Sequence, residues 1–258
     1  VARRGLIIGS LALIILGIVL LLNNFLLISS FNVASLLPLL LVLFGALILL
    51  RGDLLPGKDA KSFGITRGSV ENGILEISAG AIDVSIQALQ REGRLIAGEY
   101  AFDSRPQLNV QQNQAHLKLE RSATPWLSFA NWDMAVARDL PWSVYVSASL
   151  GQVKVDSSSL IVQNAIIGTG FGSIRFTCPP EAFAPIRLRS TLGNIQVLTP
   201  NGYRAKIFVR GSRVFGVYAD EERYEQDGDN IYYSREPSPN RPEVEIHVSG
   251  TFGDLYLA

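Results

Sequence analysis

Cysteine is almost missing from this 258-residue chain: Cys178 stands alone, which excludes a disulfide-stapled scaffold. Histidine is nearly as scarce, with only His116 and His247, so a zinc site built on clustered ligands at short spacing has no material. Charge is absent from the first 50 residues except at Arg3 and Arg4. The uncharged runs 5–22 and 33–50 contain no Asp, Glu, Lys, Arg or His, which disfavours an ion or proton path. A surplus of one sign is lacking too. Residues 51–258 hold 21 basic and 23 acidic side chains, too balanced for a nucleic-acid binder with a basic surface.

What is present falls into two parts. The runs 5–22 and 33–50 have 18 residues each. At about 1.5 Å per residue, each makes a helix of about 27 Å, close to a bilayer's hydrocarbon thickness. The expectation is a transmembrane hairpin over residues 1–50, turning at Asn23-Asn24. A charged linker with Pro56 and Gly57 follows over 51–61, then a β domain over 62–258. Arg3 and Arg4 precede the first run, Arg51, Lys58 and Lys61 follow the second, and residues 23–32 between the runs are uncharged. The positive-inside rule then expects a two-span membrane protein with its β domain on the cytoplasmic side. The unpaired Cys178 and the lack of any Asn-x-Ser/Thr sequence agree.

Beyond residue 60 the chain reads as short strands of period-two alternation. The informative signal is a repeat. Gly151, Gly172 and Gly193 are 21 residues apart, and Gly253 recurs later. Around each, apolar residues stand at −7, −5, +2 and +4: Val144, Val146, Val153 and Val155; Ala165, Ile167, Ile174 and Phe176; Ile186, Leu188, Ile195 and Val197; Ile246, Val248, Leu255 and Leu257. The first two positions and the last two are in opposite phases of the alternation, so a straight strand would send them to opposite faces. A bend at glycine brings both to one core. Each repeat is therefore a strand, a corner and a strand, and stacked repeats form a β-solenoid-like domain. Gly80 looks like an earlier partial copy, and Gly216 breaks the pattern, predicting an irregular rung. Asp227-Gly228 reads as a hairpin turn. Residues 123–142 read as a loop or a cover over one end.

The motifs that invite chemistry have plainer explanations. Gly168-Thr-Gly170-Phe-Gly172 suggests a phosphate loop, but a strand rather than a helix follows it. Asp227-Gly-Asp229-Asn230 lacks a calcium loop's closing Glu, since Ser238 stands there. Trp126, Trp132 and Trp142 either form a partner-binding patch or fill the core. No carboxylate pair is singled out by spacing, so the expectation is no catalytic, cofactor-binding or metal residue and no enzyme.

The opening Gly-Leu-Ile-Ile-Gly-Ser-Leu-Ala-Leu-Ile-Ile-Leu-Gly, the Asn-Asn turn and the Leu-Leu-Pro-Leu-Leu-Leu-Val-Leu-Phe-Gly-Ala-Leu run resemble the LiaI/LiaF-like transmembrane region. Leu140-Pro-Trp-Ser-Val-Tyr-Val through Gly151, Val155-Asp-Ser-Ser-Ser-Leu-Ile-Val and Gly168-Thr-Gly-Phe-Gly172 resemble the toastrack β domain found behind that region. The resemblance implies a membrane-anchored sensing or scaffolding protein of the bacterial cell-envelope stress response. Its partners would be the lipid bilayer and a sensor kinase or phage-shock-type membrane protein, with self-association open and no nucleic acid. LiaF relatives often carry four spans, and this chain shows two. The alternative is an anchored extracytoplasmic adhesin-like or envelope-binding β domain.

Overall fold

The computed structural model describes residues 61–100, 106–120 and 130–258. These residues are all-β, in eighteen strands with no helix. The expected fold of a helical hairpin plus a β domain is corrected accordingly. Among the described residues no helix is long and apolar enough to cross a membrane, and the runs 5–22 and 33–50 lie outside them. A two-span membrane localisation with a cytoplasmic β domain, and the bilayer as a partner, therefore have no structural support.

Seven rungs stack in parallel, each contributing first to sheet I and then to sheet II. In spatial order they are β5 (Gln114–Glu120) with β6 (Ala130–Val136); the long β2 (Asn72–Ala88); β7 (Pro141–Leu150) with β8 (Val153–Asp156); β9 (Ile161–Phe171) with β10 (Ile174–Thr177); β12 (Ile186–Leu192) with β13 (Ile195–Leu198); the long β18 (Glu243–Leu257); and β14 (Arg204–Gly211) with β15 (Phe215–Ala219). The short β11 (Glu181–Ala182) pairs with the start of β9. Antiparallel strands close both ends. β4 (Gln107–Gln111) lies on β5, and β3 (Arg94–Tyr100) then β1 (Lys61–Thr66) lie on β6. At the other end β17 (Ile231–Ser234) and β16 (Tyr224–Asp227) follow β14, joined by the expected turn at Gly228. Closing strands cover the apolar interior that an end rung would otherwise expose.

The repeat builds the core as its periodicity requires. All sixteen apolar residues of the four glycine-centred copies are at most 3% exposed. Each fully buried Val, Leu or Ile contributes roughly 1.5–3 kcal/mol relative to an exposed one. The corners are stacked as well: Gly151, Gly172 and Gly193 donate their amides to the carbonyls of Phe171, Leu192 and Phe252 on the next rung, at 2.9–3.0 Å.

Three expectations need adjustment. The earlier copy is centred on Ile82, not Gly80: Leu75, Ile77, Val84 and Ile86 stand at −7, −5, +2 and +4, in register with the copy around Gly151. The rung near Gly216 is irregular because Phe215 lies six positions after Val209 where Gly253 lies five after Val248. Phe215 takes the glycine's place in register, and its ring fills the space beside Gly211 and Gly250. Residues 123–142 are not one loop, since β6 and the start of β7 occupy much of them. Trp132 and Trp142 are fully buried core residues; Trp126 lies outside the described residues.

Candidate functional site

The two histidines sit apart, each beside its own carboxylate. His116 Nε2 lies 3.1 Å from Glu76 on the neighbouring strand, and His247 contacts Glu245 on its own strand and the ring of Phe208. Among the described residues no three His, Cys, Asp or Glu side chains converge as metal ligands. Cys178 is buried, and burial pushes its thiol up to about 12, the reverse of what a nucleophile needs. Gly168-Thr-Gly170-Phe-Gly172 is the end of strand β9 and a corner, so no helix N-terminus faces it. Asp227-Gly228-Asp229-Asn230 is a hairpin turn.

A groove does exist where sequence reasoning placed nothing. It has a volume of about 680 Å³ and crosses the outer face of sheet II. The inner face of each sheet II strand takes positions +2 and +4 of the repeat, so +1 and +3 point outward. Stacking turns them into two columns: Gln152, Ser173, Asn194 and Asp254; then Lys154, Arg175, Gln196 and Tyr256. Tyr218, opposite Tyr256 on β15, extends the second column. All but Asp254 line the groove, as does Asp220.

Within it, Arg175 donates from Nε to Gln196 Oε1 at 2.8 Å, and Tyr218 and Tyr256 stack with ring centroids 5.4 Å apart. The Asp254 amide donates to Asn194 Oδ1 at 3.0 Å, tying the first column together. Partial burial and then the nearby Asp254 carboxylate push the Tyr256 phenol above its ordinary value. Lys154 has no ion pair among the described residues, and Arg175 none either. The columns were visible in the repeat once +1 and +3 are considered; Tyr218 was hidden by the extra residue of its rung.

A second surface feature runs along the corners. The residue before each corner glycine is a large apolar one, and Leu150, Phe171, Leu192 and Phe252 are in register at 47%, 57%, 48% and 52% exposure. The corner stretches around them, Ser149-Leu-Gly-Gln152, Gly170-Phe-Gly-Ser173, Thr191-Leu-Gly-Asn194 and Thr251-Phe-Gly-Asp254, carry one charge between them.

No protein-family model matches the chain, and no curated protein matches it. A solved structure does. The crystal structure of a "putative cell adhesion protein" from Clostridium sporogenes superimposes with a TM-score of 0.66 at 16% identity, covering 77% of this chain and 97% of that one. That likeness establishes a shared β-rich fold. A "putative adhesin" from Bacteroides fragilis covers 79% of this chain and 99% of its own, at 12% identity and a TM-score of 0.32. The resemblance to LiaF-like and toastrack proteins is thus carried no further than a β-rich fold.

Proposed function

We propose that the chain is an adhesin-like recognition module that binds through its outer surface and performs no catalysis. The observation that carries this is the groove on sheet II, where two unpaired cations, three amides and a stacked tyrosine pair face solvent on a rigid stack of rungs. Such a set suits reversible binding, and it lacks an activated nucleophile or a positioned acid–base pair. The fold shared with the clostridial protein supports the same reading. Nothing in the structure or the comparisons supports modulation of a sensor kinase in the envelope stress response.

Cell adhesion to a plate coated with the full chain tests the proposal. Bacterial and epithelial cells should be retained above the level of a plate coated with heat-unfolded chain, and Lys154→Glu/Arg175→Glu should reduce that retention. No retention on any cell surface overturns the adhesin reading. Undiminished retention by the double variant removes the groove from it.

A further inference from the structure

We infer that the groove on sheet II takes a linear polymer of acidic sugars, lying along the stack axis; this rests on reading the groove as the binding surface. Lys154 and Arg175 are directly in register on adjacent parallel strands. Like charges so placed repel each other, and no carboxylate among the described residues lies within ion-pair distance of either one, Asp156 standing two residues along from Lys154. A ligand that brings its own negative charge relieves that cost. Gln196 holds Arg175 by Nε, which leaves both terminal guanidinium nitrogens for a carboxylate.

The rest of the groove selects for sugar. Gln152, Asn194 and Gln196 offer amides that both donate and accept, as hydroxyl groups require, and Ser173 adds a hydroxyl. Tyr218 and Tyr256 supply aromatic surface with polar tips at one end. Rungs about 4.8 Å apart repeat these groups along the stack at an interval comparable with one sugar residue of a polymer.

Calorimetric titration of the full chain with polygalacturonate, dextran and poly-L-glutamate tests this. Polygalacturonate should bind, more weakly as salt is raised. Lys154→Gln/Arg175→Gln should weaken it by about tenfold or more, the scale expected for lost charge-assisted hydrogen bonds. Tyr218→Ala should weaken it as well, while both variants keep the parent circular dichroism and melting temperature, since all three residues are exposed. Dextran binding equal to polygalacturonate, poly-L-glutamate binding as tight or tighter, or an unaffected double variant each overturns the inference. If no acidic glycan binds while cell adhesion still depends on Lys154 and Arg175, the inference fails and the adhesin reading survives. If no acidic glycan binds and no cell is retained, both fail.

Discussion

The carbonyl oxygen of Gly172 occupies the space that a β-carbon on Gly193 would need, and the carbonyl of Gly151 blocks Gly172 in the same way. Glycine is thus demanded twice at Gly193, by a positive φ of 144° and by the neighbouring rung. Gly193→Ala should cost about 2–5 kcal/mol, as backbone strain and crowding add. Gly68 also has a positive φ, 58°, but nothing lies within 4 Å of its added β-carbon, so Gly68→Ala should cost only about 1–2 kcal/mol. Urea unfolding of the two variants makes the comparison, and equal losses would mean that rung crowding contributes nothing.

Two tryptophans of equal burial should respond differently to loss of the indole nitrogen. Trp142 donates from Nε1 to the Ala137 carbonyl at 2.7 Å, whereas Trp132 Nε1 is buried with no acceptor. Trp142→Phe should therefore cost at least about 1 kcal/mol more than Trp132→Phe, because it orphans a carbonyl while the other change removes an unsatisfied donor. Denaturant midpoints of the pair decide it.

Alkali should unfold the domain through two buried acids. Burial pushes Cys178 up to about 12, and burial, opposed by the hydrogen bond to Thr199, leaves Tyr224 also at about 12. Both values exceed the unfolded ones of roughly 9 and 10, so the folded state keeps protons that the unfolded state releases. This contribution is complete below pH 9 and is lost as pH rises toward 12. Each group loses about 1.4 kcal/mol for every pH unit between its unfolded and folded pKa. Unfolding free energies at pH 8 and 11 should show the fall, and Cys178→Ala should make it shallower. A slope unchanged by that substitution would mean the thiol titrates alike in both states.

The described β domain should fold by itself. Residues 61–258 expressed alone should give strand-dominated circular dichroism and one cooperative transition, because both ends of the stack are closed by their own strands. A helix-dominated spectrum would contradict the architecture.

The corner ladder should be nearly silent in stability. Phe171→Thr and Phe252→Thr remove exposed rings, so each should shift stability by no more than about 0.5 kcal/mol while lowering apolar dye binding. A loss of several kcal/mol from either would place that ring in the core.

The core columns were legible because alternation is local: Val144 and Val146 declare an inward face whatever lies beside them. The order of rungs was not. Leu188 and Val209 are equally apolar and both lie against Val248, on its two sides, so inner-face chemistry cannot say which strand is the neighbour. Insertions hid further copies. Leu117, Leu119, Trp132 and Met134 match Leu75, Ile77, Val84 and Ile86, but Ala130 lies eleven positions after Leu119 where Ile82 lies five after Ile77. Ile82 itself violates the glycine rule, and nothing local announces it. The groove was half legible, since Lys154 and Arg175 recur at the repeat spacing, but only stacking shows that they lie side by side without a carboxylate.

The first long strand, β2, lies second from one end of the stack, and the last, β18, lies second from the other. β2 is paired on both edges, by β5 and β6 on one side and by β7 and β8 on the other, and β18 likewise by β12 and β13 and by β14 and β15, so a 21-residue unit duplicated beside either strand would meet no free edge there. Between β7 and β13 successive rungs are also successive in sequence, so a unit gained or lost there would leave the register on either side intact. The groove crosses these rungs, and its length would follow their number.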